Sequence, residues 1–273
     1  MTKPAADAPI GVFDSGLGGL TVARAIIDAL PRERLVYLGD TARVPYGTRS
    51  AHTVVRYARS CAARLTQHGI KLLVVACNTV SAVALDMLRV ELDIPVLGVI
   101  GPGARAGVAA AGTARLGVIA TAGTVASGAY VRAVAGENSR VEVVAQAAPL
   151  LVPLVEEGWT DGDVPRLAIR RYLEPMVEAE IAALVLGCTH YPLLRDLIAD
   201  ELAALAARPI PVVDSARATA DELGRTLDDR SLGATGDGGL SLMVTDLPDR
   251  FSEVASRFLG RDVGGLGVEA VDL

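Results

Sequence analysis

The sequence predicts an α/β protein of two pseudo-symmetric domains, each a parallel sheet flanked by helices, with the active site in the cleft between the domains. Apolar, β-branched runs alternate with stretches of helical spacing along nearly all of the 273 residues, which is typical of parallel sheets. Two runs, L-L-V-V-A-C-N-T at 72–79 and L-V-L-G-C-T-H at 184–190, end on a cysteine and small polar residues, and the cysteines are 111 residues apart (188 minus 77). G-V-I-A-T-A-G-T at 117–124 resembles G-V-F-D-S-G at 11–16, 106 residues earlier (117 minus 11). The two offsets nearly agree, which indicates a weak internal repeat.

Each strand is predicted from a short apolar run bounded by glycine, proline or polar turn residues. In chain order the strands are expected at 10–13, 35–38, 72–79, 95–99, 115–120, 141–146, 184–190 and 211–213, with two more flanking a helix in the tail, 240–273. Helices are expected where apolar residues recur at helical spacing, at 21–30, 50–67, 80–92, 150–157, 164–178, 193–206 and 215–228. Pro192 is expected to open the helix at 193–206, and Ser215 to cap the last one. G-P-G at 101–103 is expected to be a loop that crosses between the domains, and 233–239 a second loop.

A glycine-rich turn, D-S-G-L-G-G at 14–19, joins the first strand to the first helix. Its glycines would let backbone N–H groups approach an anion at the amino end of that helix. A dinucleotide fingerprint is one interpretation, with Asp40 after the next strand as the acid that binds ribose. However, Thr21 stands in place of the third glycine of the fingerprint, so a plain strand-to-helix turn explains the motif equally well.

The loop at 40–50 carries V-P-Y-G and is expected at the carboxyl edge of the sheet. Its Tyr46 either contacts a ligand or covers the core, and spacing alone favours covering. In the helix that follows, Cys61 lies within the apolar stripe, which predicts a buried core thiol. We assign His52 and His68, which flank that helix, to the surface.

Composition argues against several classes of protein. The net charge of −6 disfavours a sequence-independent nucleic-acid surface, which needs a basic face. No apolar run has the length of a membrane span, and no apolar signal region precedes the first strand. Three cysteines without close pairing favour a reducing compartment, so we expect a cytoplasmic protein. The two lysines, Lys3 near the amino terminus and Lys71 at the entry to a strand, do not suit the Schiff base of a pyridoxal phosphate enzyme.

Cys77 and Cys188 are predicted just beyond the carboxyl ends of two strands, where open α/β sheets bind ligands. Either thiol alone is as easily a buried structural residue, although the matching contexts weaken that interpretation for both together. A metal site would need more ligands, and only His190 is nearby. The reducing compartment disfavours a disulfide. Acid–base chemistry remains, since inverting a carbon centre requires a base on one face and an acid on the other.

Polar residues beside the thiols fit this hypothesis. Both cysteines precede helices, whose amino ends favour a thiolate. Asp14 and His190 are the titratable groups best placed to exchange protons with the thiols. The donors expected to fix a carboxylate are Ser15, Asn78, Thr79, Thr121 and Thr189. A hydroxyl at a strand end is also a common helix cap, so each of these donors has a structural alternative.

Four motifs together resemble the glutamate racemase family. They are D-S-G-L-G-G-L at 14–20, P-Y-G at 45–47, A-C-N-T at 76–79 and G-C-T-H-Y-P-L-L at 187–194, and the resemblance runs in matching order from residue 10 to 228. It implies an enzyme without cofactor or metal that interconverts L- and D-glutamate and supplies D-glutamate to bacterial peptidoglycan. It also implies two α/β domains, the first at 1–97 and 208–273 and the second at 98–207. We expect a homodimer.

The resemblance assigns roles to individual residues. Cys77 would remove the proton from D-glutamate with help from Asp14, and Cys188 would remove it from L-glutamate with help from His190. Glu156 matches a family acid that acts on His190. The implied substrate contacts are Asp14, Ser15, Pro45, Tyr46, Gly47, Asn78, Thr79, Thr121, Thr124, Thr189 and His190.

Two kinds of rival stay open at this point. Aspartate and hydantoin racemases share the two-cysteine logic but not this set of motifs. A non-catalytic amino-acid-binding protein on a similar frame would need neither cysteine, so alkylating the thiols should leave its binding intact. Some members of the family also act on DNA gyrase, and nothing in this acidic sequence tests such an interaction.

Overall fold

A computed structural model describes residues 5–263 and 267–273, so Lys3 and positions 264–266 of the tail lie outside the described part. The chain divides into two compact units, Met1–Val99 with Thr219–Leu273, and Ile100–Ala218. We call them unit one and unit two.

Ten strands occur in the described residues, and each pairs with its neighbours in parallel. They are β1 Ile10–Asp14, β2 Arg34–Gly39, β3 Leu72–Val75, β4 Val96–Gly98, β5 Leu116–Ala120, β6 Val143–Ala147, β7 Ala183–Gly187, β8 Val212–Asp214, β9 Gly239–Val244 and β10 Val268–Ala270. The predicted α/β class with parallel sheets is confirmed. The stretches at 72–79 and 184–190 stop being strand before their cysteines, because the polar residues that follow begin the next turn.

Twelve α-helices occur in the same residues. They are α1 Leu20–Ala29, α2 Ala51–Thr66, α3 Asn78–Val83, α4 Leu85–Glu91, α5 Ile100–Ala111, α6 Ala122–Ala126, α7 Ala129–Glu137, α8 Leu151–Glu156, α9 Asp163–Glu178, α10 Arg195–Leu205, α11 Ser215–Arg230 and α12 Pro248–Leu259. Short 3-10 turns lie at Thr41–Arg43, Tyr46–Thr48 and Tyr191–Leu194. Among the described residues, none of these helices combines the length and the apolarity needed to span a bilayer.

Unit one contains a six-stranded sheet in the order β10-β9-β2-β1-β3-β4. Every residue of its central strands β1 and β3 is buried, which indicates that helices cover both faces. The apolar stripe of α2 packs into the core beside Phe13 and Val75, and Cys61 belongs to that stripe. The predicted core position of Cys61 is therefore confirmed, and His52 and His68 are exposed as predicted.

Unit two contains a four-stranded sheet in the order β6-β5-β7-β8. This order matches β2-β1-β3-β4 of unit one strand for strand. Phe13 pairs with Val75 in unit one, and Ile119 pairs with Leu186 in unit two. The offsets between these positions are 106 (119 minus 13) and 111 (186 minus 75), the same offsets that the sequence repeat shows. The shared topology supports the internal repeat.

The prediction of a loop at 101–103 is wrong, because these residues form the first turn of α5. Pro102 is the third helical residue, where its missing N–H costs no intrahelical hydrogen bond. Gly103 allows close packing, since a Cβ built there would lie 3.1 Å from Cβ of Ser215. A glycine–proline sequence thus opens a helix here instead of interrupting one.

Two other predictions are corrected. The single helix expected at 80–92 is two helices, α3 and α4, separated at Ala84, and no residue in the sequence signals that break. Ser215 is the first residue of α11 and not the residue that caps it, and its Oγ donates to the carbonyl of Leu186 at 2.8 Å. Asp214, one residue earlier, takes the capping role, with its Oδ1 accepting from the N–H of Ala216 at 2.9 Å.

Some elements differ from the prediction in extent. The helix expected at 193–206 begins with the 3-10 turn Tyr191–Leu194 and becomes α-helical only at Arg195. Helices α6 and α7 were not predicted at all. They are separated by Gly128, whose φ of 65° ends one helix and allows the next to start in a new direction.

Candidate active site

Asp14, Ser15 and Cys77 come together in unit one because β1 and β3 are adjacent parallel strands. Phe13 pairs with Val75, so Asp14 lies level with Ala76 and Cys77 follows directly. The thiol of Cys77 donates to Oγ of Ser15 at 3.6 Å. Asp14 is fully buried, and its Oδ2 accepts from the N–H of Gly16 at 3.1 Å. The motifs D-S-G and A-C-N-T therefore form one cluster.

The glycines after Asp14 are required by packing. A Cβ at Gly19 would lie 2.4 Å from Cβ of Asp14, and one at Gly39 would lie 2.5 Å from the carbonyl oxygen of Gly16. That carbonyl also accepts from Oη of Tyr37 at 2.8 Å. Burial, and then the negative charges of Asp14 and Cys77, raise the pKa of Tyr37 well above its usual value, so its phenol stays a donor. The plain-turn interpretation of these glycines is the better one.

Cys77 occupies the N-cap position of α3, with extended backbone angles (φ −72°, ψ 123°). Asn78 and Thr79 form the first turn of that helix, and both side chains are buried. The Oγ of Ser81 donates to the carbonyl of Val75 at 3.0 Å and so ties this turn to the end of β3. The predicted donors thus lie beside the thiol on a rigid strand-to-helix junction.

The loop that holds Pro45, Tyr46 and Gly47 lies in the same unit. The ring of Tyr46 is buried 5.4 Å from the ring of Tyr57, and its Oη donates to the carboxylate of Asp40. This side chain covers the core, as spacing alone predicted. Pro45 is exposed and Gly47 half-buried, so any ligand contact of this loop would involve them and the backbone.

The half-site of unit two is built in the same way on β5 and β7. Ala120 pairs with Gly187, and Cys188 follows, only 5 % exposed. Ala120 stands where unit one has Asp14, so β5 ends without the carboxylate that ends β1. A titratable side chain is supplied instead by His190, two residues beyond Cys188.

His190 connects the thiol to an acid. Its Nδ1 lies 3.9 Å from Sγ of Cys188 and 3.5 Å from Oγ1 of Thr189, and its Nε2 lies 3.1 Å from Oε1 of Glu156. Burial by itself would lower the pKa of His190, but the hydrogen bonds to Cys188 and Glu156 outweigh it and raise the pKa to about 10. At neutral pH the ring is therefore an imidazolium, and its Nδ1 faces the sulfur of Cys188.

The threonines of unit two are linked to one another. Thr121 is the N-cap of α6, accepting from the N–H of Thr124 at 3.3 Å, and its hydroxyl donates to Oγ1 of Thr124 at 3.0 Å. Thr124 is buried and Thr121 is half-buried. The capping alternative for Thr121 is thus real, and it does not exclude a role in binding.

The carboxylate of Asp40 is fully buried and accepts from Arg43, Tyr46 and Thr245, which argues against the ribose-binding interpretation of this residue. Tyr37, which holds the carbonyl of Gly16, has no signal in the local sequence. Lys71 is also buried, with Nζ 2.6 Å from Oε2 of Glu33.

Among residues 5–263 and 267–273, no group of three or more His, Cys, Asp or Glu side chains is arranged to hold a metal ion.

Comparisons with known proteins agree on one family. The family model described as Asp/Glu/Hydantoin racemase matches residues 10–223. The glutamate racemase of Geobacter metallireducens is 50% identical over 257 residues, covering 93% of this chain and 94% of that protein. The crystal structure of glutamate racemase isoform RacE1 from Bacillus anthracis superposes with a TM-score of 0.92 at 38% identity, covering 100% of this chain and 99% of that one. A glutamate racemase from Francisella tularensis, solved in complex with D-glutamate, has a TM-score of 0.88 at 34% identity, covering 98% of each chain.

Proposed function

The chain is an amino-acid racemase that belongs to the Asp/Glu/Hydantoin racemase family, and from this premise we propose that it interconverts L- and D-glutamate. We further propose that Cys77 and Cys188 are its two acid–base groups and that no cofactor takes part. The choice of glutamate rests on the relatives, which carry that substrate in their names and cover nearly the whole chain.

The observation that carries the mechanism is the equivalence of the two thiols. Cys77 and Cys188 occupy corresponding positions in the four strands that the two sheets share in order, each just beyond the end of a buried strand. Each has a titratable neighbour suited to exchange protons with it, Asp14 at the adjacent strand end or His190 in contact with the sulfur. Two equivalent thiols with separate proton partners suit a reaction in which one thiol takes a proton while the other gives one.

In the direction from D- to L-glutamate, the Cys77 thiolate would take the α-proton and break the Cα–H bond. The electron pair left on the α-carbon would accept a proton from the Cys188 thiol on the opposite face, so that Cys188 becomes the thiolate. The reverse reaction exchanges the two roles. Atoms and charge balance without an oxidant or reductant, and solvent restores the starting protonation state of the thiols.

The proton partners would act through the thiols. The imidazolium of His190 stabilises the Cys188 thiolate that exists before L-glutamate reacts or after D-glutamate has reacted. Asp14 is proposed to assist Cys77 in the same sense from the end of β1. Glu156 acts on His190, and its 3.1 Å contact with Nε2 favours the protonated ring.

Binding of the substrate is proposed to use the donors that surround each thiol. They are Ser15, Asn78 and Thr79 in unit one, Thr121, Thr124 and Thr189 in unit two, and the loop residues Pro45, Tyr46 and Gly47. Hydroxyl, amide and backbone N–H groups are suited to carboxylates, and the motifs contain no arginine. Neutralising the α-carboxylate would lower the cost of developing negative charge at the neighbouring carbon.

Cofactor independence is proposed from the resemblance and from the lysines. A pyridoxal phosphate enzyme requires a lysine amine for its Schiff base. Lys71 is fully buried against Glu33 and donates to the carbonyl of Leu232 at 2.6 Å, which commits its amine to structure.

The wider role is also a proposal. D-Glutamate formed by this reaction would supply bacterial peptidoglycan synthesis, with the enzyme acting as a homodimer in the cytoplasm. The cytoplasmic assignment is supported by the three cysteines, all of which are free thiols. The cell-wall role and the homodimer rest on the family resemblance.

Circular dichroism of L-glutamate incubated with the pure protein tests the function directly. The signal should decay to zero without added cofactor or metal, and aspartate should react with a much lower kcat/KM. Alkylation of the thiols should abolish the decay. Binding of glutamate without any racemisation would favour a non-catalytic binding protein, and comparable kcat/KM on aspartate would contradict the proposed substrate.

A further inference from the structure

The carboxyl-terminal segment lies beyond the part of the chain that the family model matches, which ends at residue 223. Its strand β9 joins the first sheet next to β2, with Gly39 paired to Val244. Both strands end at this level. Thr245 and Asp246, which follow β9, therefore lie beside Asp40 and Thr41, which begin the proposed substrate loop.

Thr245 is held on this loop by three hydrogen bonds. Its N–H donates to the carbonyl of Gly39 at 3.2 Å. Its hydroxyl accepts from the N–H of Ala42 at 2.9 Å and donates to Oδ1 of Asp40 at 2.9 Å. The hydroxyl thus acts both as an acceptor and as a donor.

Asp40 is the centre on which the loop converges. Its carboxylate is fully buried, with Nε of Arg43 at 2.9 Å from Oδ1 and 2.7 Å from Oδ2. Oη of Tyr46 donates to Oδ2. A buried carboxylate is stable only when its oxygens are well hydrogen-bonded, so each of these donors constrains the others.

The rings above this carboxylate fix the orientation of Tyr46. The guanidinium of Arg43 lies 4.4 Å from the centroid of the Tyr57 ring, and that ring packs at 5.4 Å from Tyr46. Burial, together with the neighbouring carboxylate of Asp40, raises the pKa of Tyr46 above its usual value, which keeps its phenol a donor to Asp40. The backbone of Pro45 and Gly47 on either side is held in place by this anchored ring.

We infer that Thr245 is a positioning residue for the substrate loop, since its hydroxyl orients the Asp40 carboxylate that anchors Tyr46 between Pro45 and Gly47. This inference rests on the proposed function, in which that loop contacts glutamate. It gives the segment after residue 223 a part in the reaction although none of its residues need touch the substrate.

Three variants of the whole chain test the inference. Thr245→Val keeps the shape of the side chain and removes both hydrogen bonds of the hydroxyl, whereas Thr245→Ser retains them. Thr41→Val is the matched control. The hydroxyl of Thr41 joins the same two segments, because it donates to the carbonyl of Asp246 at 2.7 Å and accepts from the N–H of Asp246 at 2.9 Å. Neither of these hydrogen bonds involves the Asp40 carboxylate.

For Thr245→Val we expect KM for glutamate to rise about tenfold, while kcat stays within about twofold of the wild type. Tenfold corresponds to the loss of one hydrogen bond to a charged group, here the bond from Thr245 to Asp40. The effect falls on KM because the loop is proposed to support binding of the substrate and not the chemical step. Thr245→Ser and Thr41→Val should stay within about twofold of the wild type. Wild-type kinetics in Thr245→Val, an equal loss in Thr41→Val, or no recovery in Thr245→Ser would each overturn the inference.

Hydrogen exchange of peptides that cover residues 41–49 gives a readout independent of turnover. Exchange should accelerate in Thr245→Val and remain at the wild-type rate in Thr245→Ser, and no acceleration would count against the inference. If Thr245→Val does not fold, Tyr46→Phe takes its place, because it removes another hydrogen bond to the Asp40 carboxylate. Tyr46→Phe should raise KM for glutamate by a similar factor. An unchanged KM would contradict the inference. A wild-type protein that fails to racemise glutamate would overturn the proposed function itself, which distinguishes that failure from a failure of the inference.

Discussion

The two thiols differ in what surrounds them, and under the proposed mechanism that difference would govern how each proton transfer is assisted. Beside Cys188 the sequence places His190 two residues later, whereas Asp14 reaches Cys77 only because two strands are adjacent. One partner is cationic at neutral pH and the other is a buried carboxylate. The two directions of the reaction should therefore depend differently on the two residues.

Cys77→Ser and Cys188→Ser should each lower racemisation by about 10²- to 10⁴-fold, since that is what a positioned acid or base contributes. Serine is nearly isosteric but a poor base at neutral pH. With an analogue that loses a leaving group after removal of the α-proton, only one base is needed, so Cys77→Ser should retain elimination from the L-analogue and Cys188→Ser from the D-analogue. Racemisation is followed by circular dichroism and elimination by product release.

The same enantiomer preference in both serine variants, or full racemisation in either, would contradict the two-thiol mechanism. Cys61→Ala is the control, because this third thiol lies in the core of unit one and burial raises its pKa far above its usual value. It should racemise both enantiomers.

Glu156→Gln should lower the pKa of His190 by about one to three pH units, because a carboxylate that favours the imidazolium is replaced by a neutral amide. The ring nitrogens can be followed by NMR, since the chain has only three histidines. In the wild type the imidazolium should persist to about pH 10. An unchanged midpoint in the variant would show that the 3.1 Å contact with Glu156 does not control the ring.

The raised pKa of His190, which the hydrogen bonds to Cys188 and Glu156 cause, should make the stability of the fold depend on pH. The pKa of His190 is raised from 6.5 to about 10 in the folded protein, so its contribution to stability is fully present below pH 6.5 and is lost as pH rises through about 10. The difference in unfolding free energy between the wild type and Glu156→Gln should shrink over that window. Urea unfolding at several pH values measures it.

The residues next to each cysteine can be predicted from the sequence because those motifs are contiguous. Asn78, Thr79 and His190 follow their cysteines within two residues, so no fold was needed to place them. Glu156 is 34 residues from His190, and only the family resemblance pointed to it. Thr245, 205 residues from Asp40, left no local signal that sequence reasoning could have used.

At the scale of elements, periodicity and strand composition predicted most strands and helices, while proline and glycine misled at 101–103. The meaning of these residues depends on what lies next to them in space, which the local sequence does not contain. In α5, Gly103 and Gly107 allow close packing. A Cβ at Gly107 would lie 2.7 Å from Cγ2 of Val185 and 2.8 Å from Cδ2 of Leu116, both fully buried.

Gly107→Ala should therefore destabilise the protein by about 1–3 kcal/mol, because overpacking in a closed core outweighs the better helix propensity of alanine. Gly136→Ala is the matched control in α7, where a built Cβ has no neighbour within 4 Å. There we expect stabilisation of about 0.5–1 kcal/mol. Chemical denaturation of the two variants should give opposite signs, and equal effects would contradict the packing explanation.

At the scale of the whole molecule, four strands of unit one, β2-β1-β3-β4, repeat the order of the four strands of unit two, and each unit carries one of the two proposed catalytic thiols. The sequence repeat predicted this duplication, but it did not predict the order of the strands, which depends on pairings distant in the chain. The two halves differ in the titratable group near the thiol. Ala120 stands at the position of Asp14, and His190 contacts Cys188 in unit two. We propose that such divergence lets one scaffold serve both faces of a substrate.

Isotope incorporation in heavy water tests whether the two thiols act as separate bases. Starting from L-glutamate, Cys188 would remove the α-proton while Cys77, exchanged with solvent, would deliver a deuteron to the other face. The D-glutamate formed at low conversion should therefore carry deuterium at the α-carbon, while the recovered L-glutamate stays protiated. Starting from D-glutamate, the labels should be reversed. A single base serving both faces would put deuterium into recovered substrate and product alike, or return protium to the product. Mass spectrometry after chiral separation distinguishes these outcomes, and early deuterium in the recovered substrate would show that one thiol does the work of both.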